Sequence, residues 1–172
     1  NRFERNIEPK GRKVYGHGGG RPDWERDQRL KDLYGLRGEQ LVKLLEVERL
    51  RQLGIEQPEH VVRWLRDEGN ETADRDLESV DLINGEWVDI VIEVKATPVI
   101  DFRVTMSRAE FACAREYGER YRLYRVVDVV SATPQVFVFG NPHTLWQDGK
   151  AMVEPRDAIV FLPDPRRAEP LV

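Results

Sequence analysis

The chain of 172 residues is 40% hydrophobic and 34% charged, which suits one folded domain with a short appendage and excludes a largely disordered chain. No apolar run nears the ~20 residues of a membrane helix, so no membrane is expected among the partners, and no secretory signal is read at the start. The single cysteine, Cys113, excludes a disulfide framework and a cysteine-based zinc cage and fits a reducing cytoplasm. The net charge of −4 argues against holding nucleic acid by bulk electrostatics alone.

That charge is unevenly spread. Residues 66–93 carry ten acids against two bases, whereas residues 101–125 carry six arginines against four acids and residues 1–35 nine bases against six acids. An acidic focus between arginine-bearing segments suits a metal centre beside a phosphate-binding surface; solvated loops and faces are the plainer explanation of any one segment.

In chain order, residues 1–22 read as a flexible lead-in or linker, interrupted by Gly11, Gly16, Gly18, Gly19, Gly20, Pro9 and Pro22. The chain begins at Asn1 rather than Met, so it is expected to be trimmed or excised from something longer. A helix is predicted from Asp23 to Tyr34, stopped by Gly35, and a second from Gly38 to Leu53, ended by Gly54. The second carries Leu41, Leu44, Leu45, Val47, Leu50 and Leu53 at helical spacing, with Glu39 and Glu46 projecting from nearly one side. A third, shorter helix is predicted from Glu59 to Asp67.

Strands are predicted over Asp76–Ile83, Glu86–Ala96 and Val99–Thr105, the first two joined by the hairpin pair Asn84-Gly85. Ser107 with Glu110 three residues on predicts a capped helix running to Tyr117, ended by Gly118. Further strands are expected over Tyr121–Val130, Pro134–Phe139 and Ala158–Leu162, with turn-rich sequence between the last two and a poorly ordered tail over residues 163–172. The domain thus spans residues 23–162.

The second strand, through Val88-Asp89-Ile90-Val91-Ile92-Glu93-Val94-Lys95, organises the rest. Alternation puts Asp89, Val91, Glu93 and Lys95 on one face and Ile92 and Val94 on the other. A carboxylate and an ammonium on an otherwise apolar face are costly to bury unless they pair or bind an ion. A structural salt bridge between Glu93 and Lys95 is the plain alternative to a site.

The α-β-β-β-α-β order with Asp76, then Glu93-x-Lys95, and Glu39 on the preceding helix resembles the PD-(D/E)XK nuclease superfamily. More narrowly, the chain is similar to the C-terminal domain family named after NO VEIN. That likeness rests on Gly38-Glu39 with Val42, Glu46, Arg49 and Leu50, on Asp76-Leu77-Glu78-Ser79, and on Ile92-Glu93-Val94-Lys95. It continues through Ser107 and Glu110 to Tyr121-Arg122-Leu123-Tyr124-Arg125-Val126, and covers about residues 36–140. The pattern departs before the aspartate, where Asp74-Arg75 replaces glycine and an aromatic residue.

The resemblance implies an α/β, restriction-endonuclease-like core, a mixed central sheet flanked by helices with extra C-terminal strands. It also implies Mg²⁺-dependent hydrolysis of DNA phosphodiester bonds, with Mn²⁺ as a substitute, as the nuclease module of a restriction or defence system. A hard cation of this kind takes one or two carboxylates, waters and substrate oxygens. By the resemblance Asp76, Glu93 and the Val94 carbonyl would hold the ion, and Lys95 would orient water and stabilise phosphate charge. Glu39 would take a second ion or an outer water. Asp74, Asp81 and Asp89 stay open as alternatives to Asp76; Asp89 shares the face of Glu93 but lies two pleats away at ~3.3 Å per residue.

Each candidate also has a plain role: Asp76 as a strand cap, Glu39 as a first-turn helix glutamate, and Glu110 as a capping-box residue. Arg108, Arg115 and Arg122 are candidates to grip a phosphate backbone, against the reading of solvated arginines on an amphipathic face. His17, His60 and His143 make no metal-ligand spacing, and without a phosphate-binding Gly-x-x-x-x-Gly-Lys loop any ATP-driven step needs an ATPase or helicase domain or subunit. A homodimer is compatible with the sequence. The alternative function is a nuclease-fold module, catalytically weak or silent, that binds nucleic acid or a partner protein.

Overall fold

The computed structural model describes residues 23–70 and 73–154. The lead-in, the strand expected at Ala158–Leu162 and the tail lie outside the described residues.

One helix, α1 (Trp24–Gln52), replaces the two expected, running straight through Gly35 and Gly38. A glycine inside a helix costs about 1 kcal/mol relative to alanine; Tyr34 and Leu36 pack onto the core beside Gly35 and offset that loss. Asp23 caps the start, accepting a bond from the Arg26 amide. The helix expected at Glu59–Asp67 is instead a 3-10 turn at Pro58–His60 followed by a two-residue strand, β1 (Arg63–Trp64). Val61, Val62, Trp64 and Leu65 form an apolar run too short to fix its own period, and pairing decides it: Arg63 lies opposite Glu78 and Trp64 opposite Leu77.

Next come β2 (Leu77–Ile83) and β3 (Glu86–Ala96), an antiparallel hairpin turning at Asn84 and Gly85, both of which have positive φ. The strand expected at Val99–Thr105 is irregular backbone. Its start is tied down elsewhere, because the Thr97 amide donates to the Val126 carbonyl and the Thr97 carbonyl accepts from Val129. Pro98, which has no amide proton, then ends the ladder.

Helix α2 (Arg108–Tyr117) carries the full capping box, Ser107 and Glu110 each bonding the other's backbone amide. It connects β3 to β4 (Tyr121–Val127), which pairs parallel to β3. Strand β5 (Gln135–Phe139) adds antiparallel to β4. A short helix not expected from the sequence, α3 (Pro142–Gln147), follows, with Asn141 at its N-cap and proline at its first position.

The result is a five-stranded mixed sheet in chain order, β1 to β5, flanked by helices. Three strands do precede α2, but β1 stands where Val99–Thr105 was expected to contribute. Ile90, Ile92, Val94, Tyr124 and Val126 pack with Val42, Val47 and Leu50 of α1 on one face. Val91, Tyr121 and Leu123 pack with Cys113 and Ala114 of α2 on the other. Gly38 lets α1 lie close on the sheet: a Cβ there would meet the Ala96 Cβ at 2.7 Å.

Candidate functional site

Strand alternation places Glu93 and Lys95 on the α2 face with Val91. Glu93 is 3% exposed, and its carboxylate meets the Lys95 ammonium at 2.7 Å. Lys95 Nζ also donates to Glu110 Oε2 at 2.8 Å. The same Glu110 oxygen accepts from the Ser107 amide at 2.9 Å, so the capping box of α2 tethers the lysine to the helix start. Below it, Arg125 is buried and donates to the Lys95 and Asp101 carbonyls.

Asp76 sits one residue before β2 and continues the ladder with its side chain. Its amide donates to the Ile92 carbonyl at 2.9 Å, while its Oδ2 accepts from the Val94 amide at 2.7 Å. The Ile92 carbonyl and Val94 amide therefore face this edge of β3. The Val94 carbonyl faces the same way by the alternation of strand groups. Asp76 thus joins Glu93 at the end of β3. The other aspartates are elsewhere: Asp74 pairs with Arg75, Asp81 with Arg49 and Arg122, and Asp89 is exposed.

Glu39 reaches this edge from the middle of α1, not from a first turn, so a helix-dipole role does not account for it. It is buried, accepts from the Trp64 indole at 2.8 Å, and meets Arg66 through two bonds of 3.0 Å. A cleft of about 20 Å³ opens between Glu39, Arg66, Arg75 and Asp76, roomy enough for one water-sized sphere.

The electrostatics follow from this crowding. Burial and then the Asp76 charge push the Glu93 carboxyl up to about 8. Burial and then Glu39 push Asp76 up to about 6, against the pull of the Val94 amide. Lys95 is desolvated too, yet Glu93 and Glu110 outweigh that and raise its pKa. Burial thus favours the protonated form of both carboxyls, and repulsion among the neighbouring carboxylates adds to it.

Among the described residues no three His, Cys, Asp or Glu side chains are grouped to cage an ion by themselves. Two carboxylates and a carbonyl at one edge are nonetheless a donor set suited to Mg²⁺, which keeps several waters and takes few protein ligands. The oxygen-only chemistry of this donor set fits a hard divalent cation.

The three arginines are not brought together. Arg108 and Arg115 are exposed on α2, whereas Arg122 projects to the α1 face and pairs with Asp81 at 3.1 Å. There it borders a separate buried network around Glu46, which is 1% exposed. Glu46 accepts from Ser79 at 2.8 Å, from the Tyr124 hydroxyl, and twice from Arg49. Every partner is satisfied, which marks a framework network rather than a reactive one.

Sequence reasoning missed Trp64 and Arg66 as the holders of Glu39, because the segment was expected to be helical. It also gave Tyr121 no role, although the residue opens β4 two positions before the neighbour of Glu93. Compared with known proteins, residues 38–139 match the family described as Protein NO VEIN, C-terminal. No curated protein and no solved structure matches the chain.

Proposed function

The chain belongs to the NO VEIN C-terminal family, and on that footing we propose that it is a divalent-cation-dependent nuclease module, hydrolysing DNA phosphodiester bonds within a restriction or defence system. The observation that carries this reading is the placement of two buried carboxyls, Asp76 and Glu93, with Lys95 at the end of β3, both carboxyls raised in pKa first by burial. Ionised carboxylates are costly to bury, and a bound cation would offset that cost.

On this reading Asp76, Glu93 and the Val94 carbonyl hold Mg²⁺, with Mn²⁺ as a substitute. When bound, the ion lowers the pKa of water and neutralises charge growing on phosphate. With two of its three donors on Glu93 and Glu110, the Lys95 ammonium would give the third to the attacking water, its fixed charge stabilising the phosphate without reorganisation during reaction. Glu110 keeps that ammonium at the mouth of the site through its 2.8 Å bond. Glu39, fixed by Trp64 and Arg66, supplies a carboxylate behind Asp76 that binds an outer water. The exposed arginines of α2, Arg108 and Arg115, contact the DNA backbone, and an ATPase or helicase partner supplies any energy-driven step.

The direct test is plasmid cleavage in Mg²⁺ or Mn²⁺. Nicking or linearisation is expected from the wild type and a loss of at least a hundredfold from Glu93→Ala or Lys95→Ala, in line with losing an ion ligand or a fixed charge. Cleavage that persists in both variants would refute the assignment.

One observation favours a catalytically silent binding module: Lys95 Nζ is already held by two carboxylates. Calorimetric titration separates the two, since a silent module shows no Mn²⁺ site that depends jointly on Asp76 and Glu93.

A further inference from the structure

Tyr121 is completely buried at the start of β4, among Val91, Cys113, Ala114 and Leu123. Its hydroxyl is the buried side-chain polar atom that has no hydrogen-bond partner among the described residues. An unpaired buried hydroxyl costs about 1–3 kcal/mol, and a phenylalanine would fill the same space without that loss. Such a group in a folded protein calls for a physical reason.

Its surroundings supply one. The parallel register sets Tyr121 beside Val91 and Leu123 beside Glu93, so the phenol stands on the face of the candidate site. After burial itself, the group acting most strongly on the phenol is Glu93, followed by Cys113, Glu110 and Asp76. These influences raise its pKa, so the hydroxyl keeps its proton and can donate it. Cys113 is no partner for it in ion binding: burial pushes that thiol up to about 11, and it stays protonated. No direct hydrogen bond joins the phenol to Glu93, and one intervening water would complete the link.

We propose that Tyr121 is a positioning residue for Glu93, its hydroxyl donating through a bridging water to the Glu93 carboxylate and keeping that carboxylate turned toward the divalent cation. The inference rests on the ion-binding part of the proposed function. Partners of ion-holding side chains typically contribute 10–100-fold in metal affinity, which sets the size of the expected effect.

The experiment compares wild type, Tyr121→Phe and Tyr124→Phe by Mn²⁺ calorimetry, thermal unfolding and ultraviolet difference spectra. Tyr121→Phe is expected to match or exceed the ion-free Tm of the wild type, to bind Mn²⁺ about tenfold more weakly, and to lose the tyrosine difference signal that Mn²⁺ evokes. Tyr124→Phe removes the hydroxyl that donates to Glu46 on the opposite face; it should lower Tm while leaving Mn²⁺ affinity and the difference signal intact. Wild-type binding with Tyr121→Phe within twofold of it overturns the inference and spares the proposed function. Absence of Mn²⁺ binding in the wild type overturns both.

Discussion

Glu93 and Asp76 make pH the simplest probe of the site. Both carboxyls are pushed up from ordinary values of 4.5 and 3.8 to about 8 and about 6, burial being the first cause in each case. Between those limits the folded protein binds protons that the unfolded chain has released. By linkage, stability therefore declines as pH rises from about 4 to about 8. The penalty is absent below the unfolded values and complete above the folded ones, the reverse of an ordinary salt-bridged carboxylate. The ion-free protein should have a higher Tm at pH 5.5 than at pH 8.5, and Glu93→Gln should raise Tm at pH 8.5 while changing little at pH 5.5. Differential scanning calorimetry across the range reads this, and a wild-type Tm that climbs with pH would contradict it.

At the level of elements, the two glycines inside α1 give opposite expectations. A Cβ at Gly35 meets only Glu39 Oε1, at 3.8 Å, whereas one at Gly38 meets the Ala96 Cβ at 2.7 Å and a Val94 methyl at 3.4 Å. Alanine gains about 1 kcal/mol of helix propensity at either place, but overpacking against a rigid strand costs about 1–3 kcal/mol. Gly35→Ala should raise Tm, and Gly38→Ala should lower it and loosen Mn²⁺ binding by lifting Glu39 off the site edge. The same helix shows what a sequence hides. Glycine reads as a stop because its local cost is legible, while the close approach that rewards Gly38 is a tertiary fact. Strand β3 was readable to its last residue, since Asn84-Gly85 and β-branched alternation are local signals, and so was the Ser107–Glu110 cap. Two-residue β1 was not, because its pairing partner rather than its own pattern makes it a strand. Asn141-Pro142 was a readable start signal for α3 that the surrounding turn residues masked.

Across the whole molecule, the shared motif residues divide between two faces, and only the sheet register reveals the division. Glu46, Arg49, Ser79, Tyr124 and Arg122 belong to the α1 face, and Glu93, Lys95, Glu110 and Tyr121 to the α2 face. Strand alternation alone paired Glu93 with Lys95 correctly; that Arg122 serves the framework needed its Asp81 partner. On the proposed reading, the net charge of −4 makes attraction to DNA local rather than global. Reversing both exposed arginines of α2, Arg108→Glu with Arg115→Glu, should weaken DNA binding at unchanged Tm. The slope of log affinity against log salt should shrink by about 2. Arg122→Ala should leave that slope alone and lower Tm instead. Fluorescence anisotropy at several salt concentrations distinguishes the two, and a slope change confined to Arg122→Ala would invert the assignment of faces.

The bond from the Val94 amide to Asp76 Oδ2 has a consequence for stoichiometry. With Oδ2 engaged by the backbone at 2.7 Å, the less encumbered oxygen of Asp76 is Oδ1, and on the proposed reading it is the one that would meet an ion. With Glu93 and one carbonyl it would give a hard cation few protein ligands, leaving much of the coordination shell open. On the proposed reading, solvent and the scissile phosphate complete that shell, so cation and DNA should bind cooperatively, each raising the other's affinity by the same factor.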